Sequence, residues 1–199
     1  MLRSYRRRGL SLVELFVVLG IIAILIGLFL PAVQAARLRA RDAVCTNNIY
    51  QTNLAMVQYL QVMKRVPPPA KPGKIGGWMV AVLPFLERSD LDQVLVEDVP
   101  LAQAPTVGLK APPIYRCLVH EAYEKTPPNV IGLAHFAMIP SRDRKAFSIV
   151  DLPLEFEAPW LSSPEVSLAQ LPRDKGPHHG GYFIAHGMSQ GVDRLDARP

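Results

Sequence analysis

Cysteine is scarce in this chain of 199 residues, and acidic residues are nearly missing from its first 41 positions. Two cysteines allow at most one intramolecular disulfide and cannot by themselves supply the four ligands of a zinc site. Residues 1–41 carry seven arginines against one acid, Glu14, whereas residues 42–199 carry fifteen basic and sixteen acidic residues. The body of the chain is therefore nearly neutral, and we expect no nucleic-acid partner.

Local motifs for catalysis are also missing from the sequence. It has no Gly-rich phosphate loop, no Walker pattern and no nucleophile elbow or triad-like local motif. We therefore expect neither an enzyme nor a bound cofactor. With 49% apolar and 20% charged residues, the chain is too apolar for a disordered polyelectrolyte and has room for one ordinary domain, or a small domain with an appendage.

A long apolar run near the N-terminus indicates a membrane-crossing segment. Residues 15–36 carry no charge, and as a helix they would extend about 33 Å, enough to cross a hydrocarbon core of about 30 Å. The arginines at 6–8 precede the run, and the positive-inside rule predicts that they stay cytoplasmic. The run is too long for an ordinary signal peptide, and a plain signal anchor gives no reason for the costly carboxylate of Glu14.

The start of this run closely resembles the prepilin motif of type IV pilins and type II secretion pseudopilins, in the stretch Arg8-Gly9-Leu10-Ser11-Leu12-Val13-Glu14-Leu15. The resemblance implies cleavage by a prepilin peptidase between Gly9 and Leu10, followed by N-methylation of Leu10. Leu10 departs from the phenylalanine that the family usually has there. As the fifth mature residue, Glu14 is expected to set subunit register by pairing with the α-amine of a neighbour.

The resemblance divides the chain into four segments. Residues 1–9 are the leader, 10–36 the transmembrane half of a stem helix, 37–66 its amphipathic half, and 67–199 an extracytoplasmic globular head. Apolar residues at helical spacing predict that the amphipathic half lies against the head. Pro31 matches a proline of pilins, and we expect it to kink the helix near Gly27 or to melt it locally.

Several short apolar runs in the head predict strands. The candidates are Ile114–Leu118, Ile131–Ile139, Lys145–Val150 and Tyr182–His186, with a last hairpin that returns through Val192–Leu195. The expected fold is α+β: a long N-terminal transmembrane and stem helix packed on a small antiparallel sheet, as in pilins.

Three stretches of the chain resemble one group of prepilin-like bacterial proteins. Residues 45–51 are similar to the group's C-x-N-N-L-x-Q, and Trp78 with the LPFLE segment after it is similar to a second stretch. The third stretch, His178-His179-Gly180-Gly181, is similar to its H-x-G-G. The group's D-G-S-V turn is not preserved at residues 187–192, although Gly191 can supply a positive φ there.

The histidines and cysteines of the head are the candidates for local chemistry. Because His178 and His179 are adjacent, a strand would point them to opposite faces, so we expect no metal site with them and His186. A glycine–histidine turn whose imidazole bonds backbone carbonyls is the favoured interpretation. Cys45 and Cys117 admit two interpretations: a disulfide that pins the stem helix to the first strand of an extracytoplasmic head, or two separate buried thiols.

Together these features predict a pilin-like or pseudopilin structural subunit, assembled through its stem helix into a pilus or a type II secretion-type filament. We expect a single-pass protein of the inner (cytoplasmic) membrane with a cytoplasmic N-terminus and a periplasmic head. The expected partners are the prepilin peptidase, other pilin-like subunits, the inner-membrane assembly platform and the lipid bilayer. The alternative is a membrane-anchored binding or scaffold protein that does not polymerise.

Overall fold

A computed structural model of the chain describes residues 12–105, 110–118, 135–141, 146–152, 159–171, 178, 182–186 and 192–195. The predicted cleavage and methylation positions, Gly9 and Leu10, lie outside these described residues, as do His179, Gly180 and Gly181. The chain divides into two compact units, Met1–Ala40 and Arg41–Pro199.

One long helix, α1, covers Leu12–Met63 and confirms the predicted stem helix. Every residue from 12 to 40 is exposed, and residues 15–36 are apolar around the whole helix, without a separate polar face. The helix continues through Gly27 and Pro31 without interruption, so the expected local melting is wrong. Pro31 lacks only one N–H of the helical ladder, and a kink at this residue stays a prediction.

The last part of α1, from residue 41 onwards, is amphipathic, as the apolar spacing predicts. Its buried face holds Cys45, Ile49, Thr52, Asn53, Ala55, Met56 and Tyr59, whereas Asn47, Gln51 and Gln58 are exposed. After Met63 the chain turns at Lys64, whose φ is 56° and whose N–H donates to the carbonyl of Leu60 at 2.9 Å. A left-handed residue at this place ends a helix in the usual way.

Short helical turns follow α1 in the part of the chain that the structure describes. There, two are α-helical, α2 at Trp78–Ala81 and α3 at Ser89–Asp92, and five are 3₁₀ turns, at Leu83–Leu86, Leu101–Gln103, Pro113–Tyr115, Trp160–Ser162 and Leu168–Gln170. The predicted strand at Ile114–Leu118 is therefore wrong. Pro112 and Pro113 have no N–H for a strand ladder, and the N–H of Tyr115 instead donates to the carbonyl of Pro112 at 2.9 Å.

Four strands form one antiparallel sheet in sequence order. They are β1 at Phe136–Pro140, β2 at Phe147–Asp151, β3 at Tyr182–His186 and β4 at Val192–Leu195. Each pairs with the next, and Ile149 of β2 lies opposite Ala185 of β3. The strands predicted near these positions and the last hairpin are confirmed, and so is the α+β class with its stem helix.

Trp78 lies at the centre of the core of the Arg41–Pro199 unit. Its indole N–H donates to the carbonyl of Pro164 at 3.0 Å, and its ring meets that of Tyr115 edge to face at 6.0 Å. Gly77, just before it, has a φ of 85°, and a Cβ at Gly77 would lie 2.7 Å from Cβ of Ser163. The absence of a side chain at Gly77 therefore allows two chain segments to approach closely in the core.

Candidate functional site

The residues predicted to act at the stem are both on α1. Glu14 is exposed in the first described turn, where the helix dipole favours a carboxylate. Pro31 is exposed within the same helix. By length and composition, α1 is able to cross a membrane.

Cys45 and Cys117 are joined by a disulfide that connects positions 72 residues apart. Both are fully buried. The bond attaches α1 to the segment after the 3₁₀ turn Pro113–Tyr115 rather than to a first strand, since that strand does not form. Closing a loop of this length contributes about 4 kcal/mol of stability in the chain-entropy account.

Asn48 strengthens the same attachment one helical turn after Cys45. Its side-chain amide donates to the carbonyls of Pro113, at 3.1 Å, and Arg116, at 2.8 Å. On the other side of the disulfide, the N–H of Cys117 donates to Nδ1 of His135 at 2.9 Å. The stretch that resembles C-x-N-N-L-x-Q thus supplies both a covalent bond and two hydrogen bonds to the 113–117 segment.

His178 lies between two carboxylates in the interior of the Arg41–Pro199 unit. Its Nδ1 is 2.6 Å from Oδ1 of Asp42, and its Nε2 is 3.0 Å from Oδ2 of Asp151. Nε2 is also 3.5 Å from Sγ of Cys117. Asp42 lies on α1 and Asp151 ends β2, while the His178 side chain is fully buried. The expected bonding of this imidazole to backbone carbonyls is therefore wrong, because carboxylates occupy both of its nitrogens.

Asp151 uses its two carboxylate oxygens differently. Oδ1 accepts a hydrogen bond of 2.8 Å from the N–H of Phe183 on β3. Oδ2 is fully buried and in contact with Nε2 of His178. The direction of this contact is not that of a well-formed hydrogen bond, so among the described residues Oδ2 has an ionic contact but no aligned donor. Asp151 is thus the least satisfied member of this cluster of Asp42, His178, Asp151, Cys45 and Cys117, which we call the histidine cluster.

Burial and the neighbouring charges have opposite effects on the pKa values of Asp151 and His178. Burial raises the pKa of Asp151 to about 6, although the contact with His178 and its positive charge act to lower it. Burial also acts to lower the pKa of His178, but Asp151 and then Asp42 outweigh it, so this pKa lies above the usual 6.5. Carboxylate acceptors at both ring nitrogens favour the doubly protonated imidazolium over the neutral ring.

The cluster connects parts of the chain that are far apart in sequence. The carbonyl of His178 also accepts a hydrogen bond of 3.1 Å from Arg194 on β4, and the ring lies 4.3 Å, centroid to centroid, from that of Phe183. His178, the first residue of the segment resembling H-x-G-G, is therefore fixed to the stem helix, to β2 and to the last hairpin. It holds the C-terminal part of the unit in place.

Sequence reasoning missed both carboxylates of the cluster. A signal was present for Asp42, which lies one turn before Cys45 on the face of α1 that becomes buried. A signal was also present for Asp151, which directly follows an apolar strand candidate. A charge on a buried face needs a partner, and His178 was the available one.

The described residues define an α+β protein with a long N-terminal apolar helix and a four-stranded antiparallel sheet. Residues 34–141 match a family described as "Protein of unknown function (DUF1559)", which is known from prepilin-like proteins. Because the match covers more than half of the chain, the chain belongs to the DUF1559 family. No curated protein and no solved structure matches it.

Proposed function

We propose that this chain is a pilin-like subunit, cleaved by a prepilin peptidase and assembled through its stem helix into a pilus or secretion-type filament. The observation that carries the proposal is the character of α1 over residues 12–36. All of its side chains there are exposed, and Glu14 is the single charge among them. A helix that is apolar all round requires lipid or other helices as its surroundings.

Glu14 is the expected register device in the filament. A carboxylate within a membrane-crossing helix costs about 2–3 kcal/mol even on lenient scales, so the position needs a compensating partner. Removal of residues 1–9 would create an α-amine at Leu10 that provides such a partner on a neighbouring subunit. The pair would favour one stacking register over others rather than add much net stability.

The disulfide supports the orientation that we propose for the head. Structural disulfides persist in oxidising compartments outside the cytoplasm and are rare inside it. A buried Cys45–Cys117 bond therefore suits a unit that faces the periplasm, with the arginine-rich N-terminus on the cytoplasmic side. The proposed role is structural rather than enzymatic.

Mass spectrometry of the membrane-extracted protein tests the processing step. We expect the mature chain to begin at Leu10 and to carry one extra methyl group. A Gly9→Val change should abolish processing, whereas Gly27→Ala, a glycine change within the membrane-crossing segment, should leave it intact. A native chain that retains Met1–Gly9 would contradict the proposal.

Crosslinking between stem helices tests the assembly step. Photo-reactive residues placed at Val17 and Leu25 should give regular ladders of crosslinked subunits in wild-type membranes. Glu14→Gln should leave cleavage intact and strongly reduce the ladders, while Glu97→Gln, which removes an exposed acid of the head, should not. Monomers alone in the wild type would instead identify a membrane-anchored scaffold that does not polymerise.

A further inference from the structure

The histidine cluster collects the ligand types of a zinc site around one buried point. Sγ of Cys45, Sγ of Cys117 and a ring nitrogen of His178 all lie within 4.8 Å of one another, and all three residues are buried. The fourth atom is Oδ2 of Asp151, which is fully buried, 3.0 Å from Nε2 of His178 and without an aligned hydrogen-bond donor. Two sulfurs, one imidazole nitrogen and one carboxylate oxygen make a complete set for tetrahedral Zn²⁺.

Two of the distances around Nε2 of His178 are close to the edges of a tetrahedron. Zn–S bonds of about 2.3 Å and Zn–N bonds of about 2.0–2.1 Å place a sulfur and a nitrogen ligand about 3.5 Å apart. Nε2 of His178 and Sγ of Cys117 are 3.5 Å apart. The nitrogen–oxygen edge would be about 3.4 Å, so the contact with Asp151 needs only a small expansion from 3.0 Å.

Asp42 has the place of an outer-shell partner for such a site. Histidines that bind metal through one nitrogen usually donate the other N–H to a carboxylate, which fixes the tautomer and the ring orientation. Here Nδ1 of His178 faces Oδ1 of Asp42 at 2.6 Å, and this contact directs Nε2 towards Cys117 and Asp151. The ring therefore already has the orientation that metal binding needs.

The disulfide prevents metal binding in the oxidised chain, because its sulfurs are bonded to each other and are not thiolates. A phosphine reductant changes this state: it takes an oxygen atom from water and becomes a phosphine oxide, and the S–S bond accepts two electrons and two protons to give two thiols. Zn²⁺ then replaces the thiol protons and the Nε2 proton of His178, all of which pass to solvent. The freed sulfurs need to separate to about 3.8 Å, the edge between two zinc-bound thiolates.

We propose that reduction of the Cys45–Cys117 disulfide converts the histidine cluster into a Zn²⁺ site with four ligands, Cys45, Cys117, His178 and Asp151. Two thiolates and an imidazole select Zn²⁺ over Mg²⁺ and Ca²⁺, which prefer oxygen ligands. The unit thus has two alternative crosslinks at the same place, a disulfide when it is oxidised and a bound zinc ion when it is reduced. Either one attaches α1 to the 113–117 segment, and the zinc ion additionally recruits β2.

Metal titration of the full-length protein in detergent tests this site. Oxidised protein and protein reduced with a phosphine are titrated with Co²⁺ as a spectroscopic probe and then with Zn²⁺. We expect the reduced protein to bind one ion per chain, with thiolate-to-cobalt charge transfer and the visible bands of tetrahedral Co²⁺. The oxidised protein should bind none, and far-ultraviolet circular dichroism should show that the reduced, Zn²⁺-bound chain keeps its helix.

Four sets of variants assign the ligands. The double change Cys45→Ser with Cys117→Ser should abolish binding, and His178→Gln or Asp151→Asn should weaken it at least tenfold. Asp42→Asn should weaken it about 10–100-fold through the outer shell. Asp98→Asn removes an exposed carboxylate outside the cluster and should have no effect.

Three results would overturn the proposal. One is a reduced wild-type chain that takes up no metal, whether it remains folded or has lost its helix. The second is equal binding by the double serine variant, which would mark an adventitious site. The third is binding that His178→Gln and Asp151→Asn leave unchanged, because the thiolates would then act without the folded cluster.

Discussion

Nδ1 of His178 lies 2.6 Å from Oδ1 of Asp42, although 136 residues separate the two in sequence. Asp42 is on the stem helix, and His178 begins the segment that leads into β3. The contact therefore fixes a late part of the chain to an early one. The His178 side chain is fully buried, whereas 24% of the Asp42 side chain is accessible to solvent.

Replacing Asp42 with asparagine should weaken the folded unit. The change removes a charge-assisted hydrogen bond to a buried imidazole, and we expect the free energy of unfolding to fall by about 1–3 kcal/mol. Urea unfolding followed by circular dichroism measures this loss. Asp98→Asn, which removes an exposed partner of Lys71, should have little effect, and equal losses in the two variants would contradict this role of Asp42.

The stability of the oxidised protein should fall as the pH rises. Asp151 and His178 both have raised pKa values, so the folded chain binds protons more tightly than the unfolded chain at both sites. The contribution of Asp151 is lost between its ordinary 3.8 and about 6, and that of His178 is lost from 6.5 upwards through its raised pKa.

Urea unfolding in the presence of a chelator measures this dependence. The difference in unfolding free energy between the wild type and His178→Gln should shrink as the pH rises from 6.5 through the raised pKa of His178. A difference that grows over this interval would show that the imidazole is not held in its charged form. The difference between the wild type and Asp98→Asn should stay constant.

Asn48 and Asn47 offer a matched comparison on α1. Asn48→Ala removes two hydrogen bonds and leaves the carbonyls of Pro113 and Arg116 without that donor, so we expect a loss of about 1–3 kcal/mol. Asn47 is exposed, and Asn47→Ala should be close to neutral. Thermal unfolding of the oxidised proteins compares the two, and similar midpoints would argue against the attachment of the 113–117 segment by Asn48.

Gly77 and Gly73 are two glycines with positive φ in different surroundings. Their φ values are 85° and 71°, so an alanine is strained at either position, and at Gly77 the ψ of −165° adds to the strain because that region is essentially restricted to glycine. At Gly77 the new Cβ also meets Ser163 at 2.7 Å and the backbone nitrogen of Ala70 at 3.0 Å, whereas at Gly73 nothing lies within 4 Å. Gly77→Ala should therefore cost about 1–3 kcal/mol more than Gly73→Ala. Equal urea midpoints would contradict this packing.

The sequence was sufficient where a single local pattern determines the structure. The apolar run and the helical spacing after it predicted α1, because periodicity over tens of residues leaves few alternatives. Short apolar runs, most of them bounded by turn formers, predicted the strands β1 to β4. The prediction is wrong at Ile114–Leu118, because the two prolines before this run favour a 3₁₀ turn over a strand.

The histidine cluster was beyond such reasoning, since its members come from four distant parts of the chain. Adjacent residues suggested that His178 and His179 would point apart, and this said nothing about a carboxylate on a helix more than a hundred positions earlier. Burial of Asp42 and Asp151 depends on how α1 and β2 pack, which the periodicity of each element alone does not define. Contacts of this kind appear only once the tertiary fold is known.

The tie between Asp42 and His178 also has a consequence for biosynthesis. A ribosome makes the stem helix first. Nearly all of the chain must then be synthesised before the imidazole of His178 is available to the carboxylate of Asp42. Any polypeptide that stops before His178 buries Asp151 without its cation, a cost that discourages premature closure. The head is therefore completed only when translation is nearly complete. Truncated products lack the contact between Asp42 and His178 and are open to proteolysis.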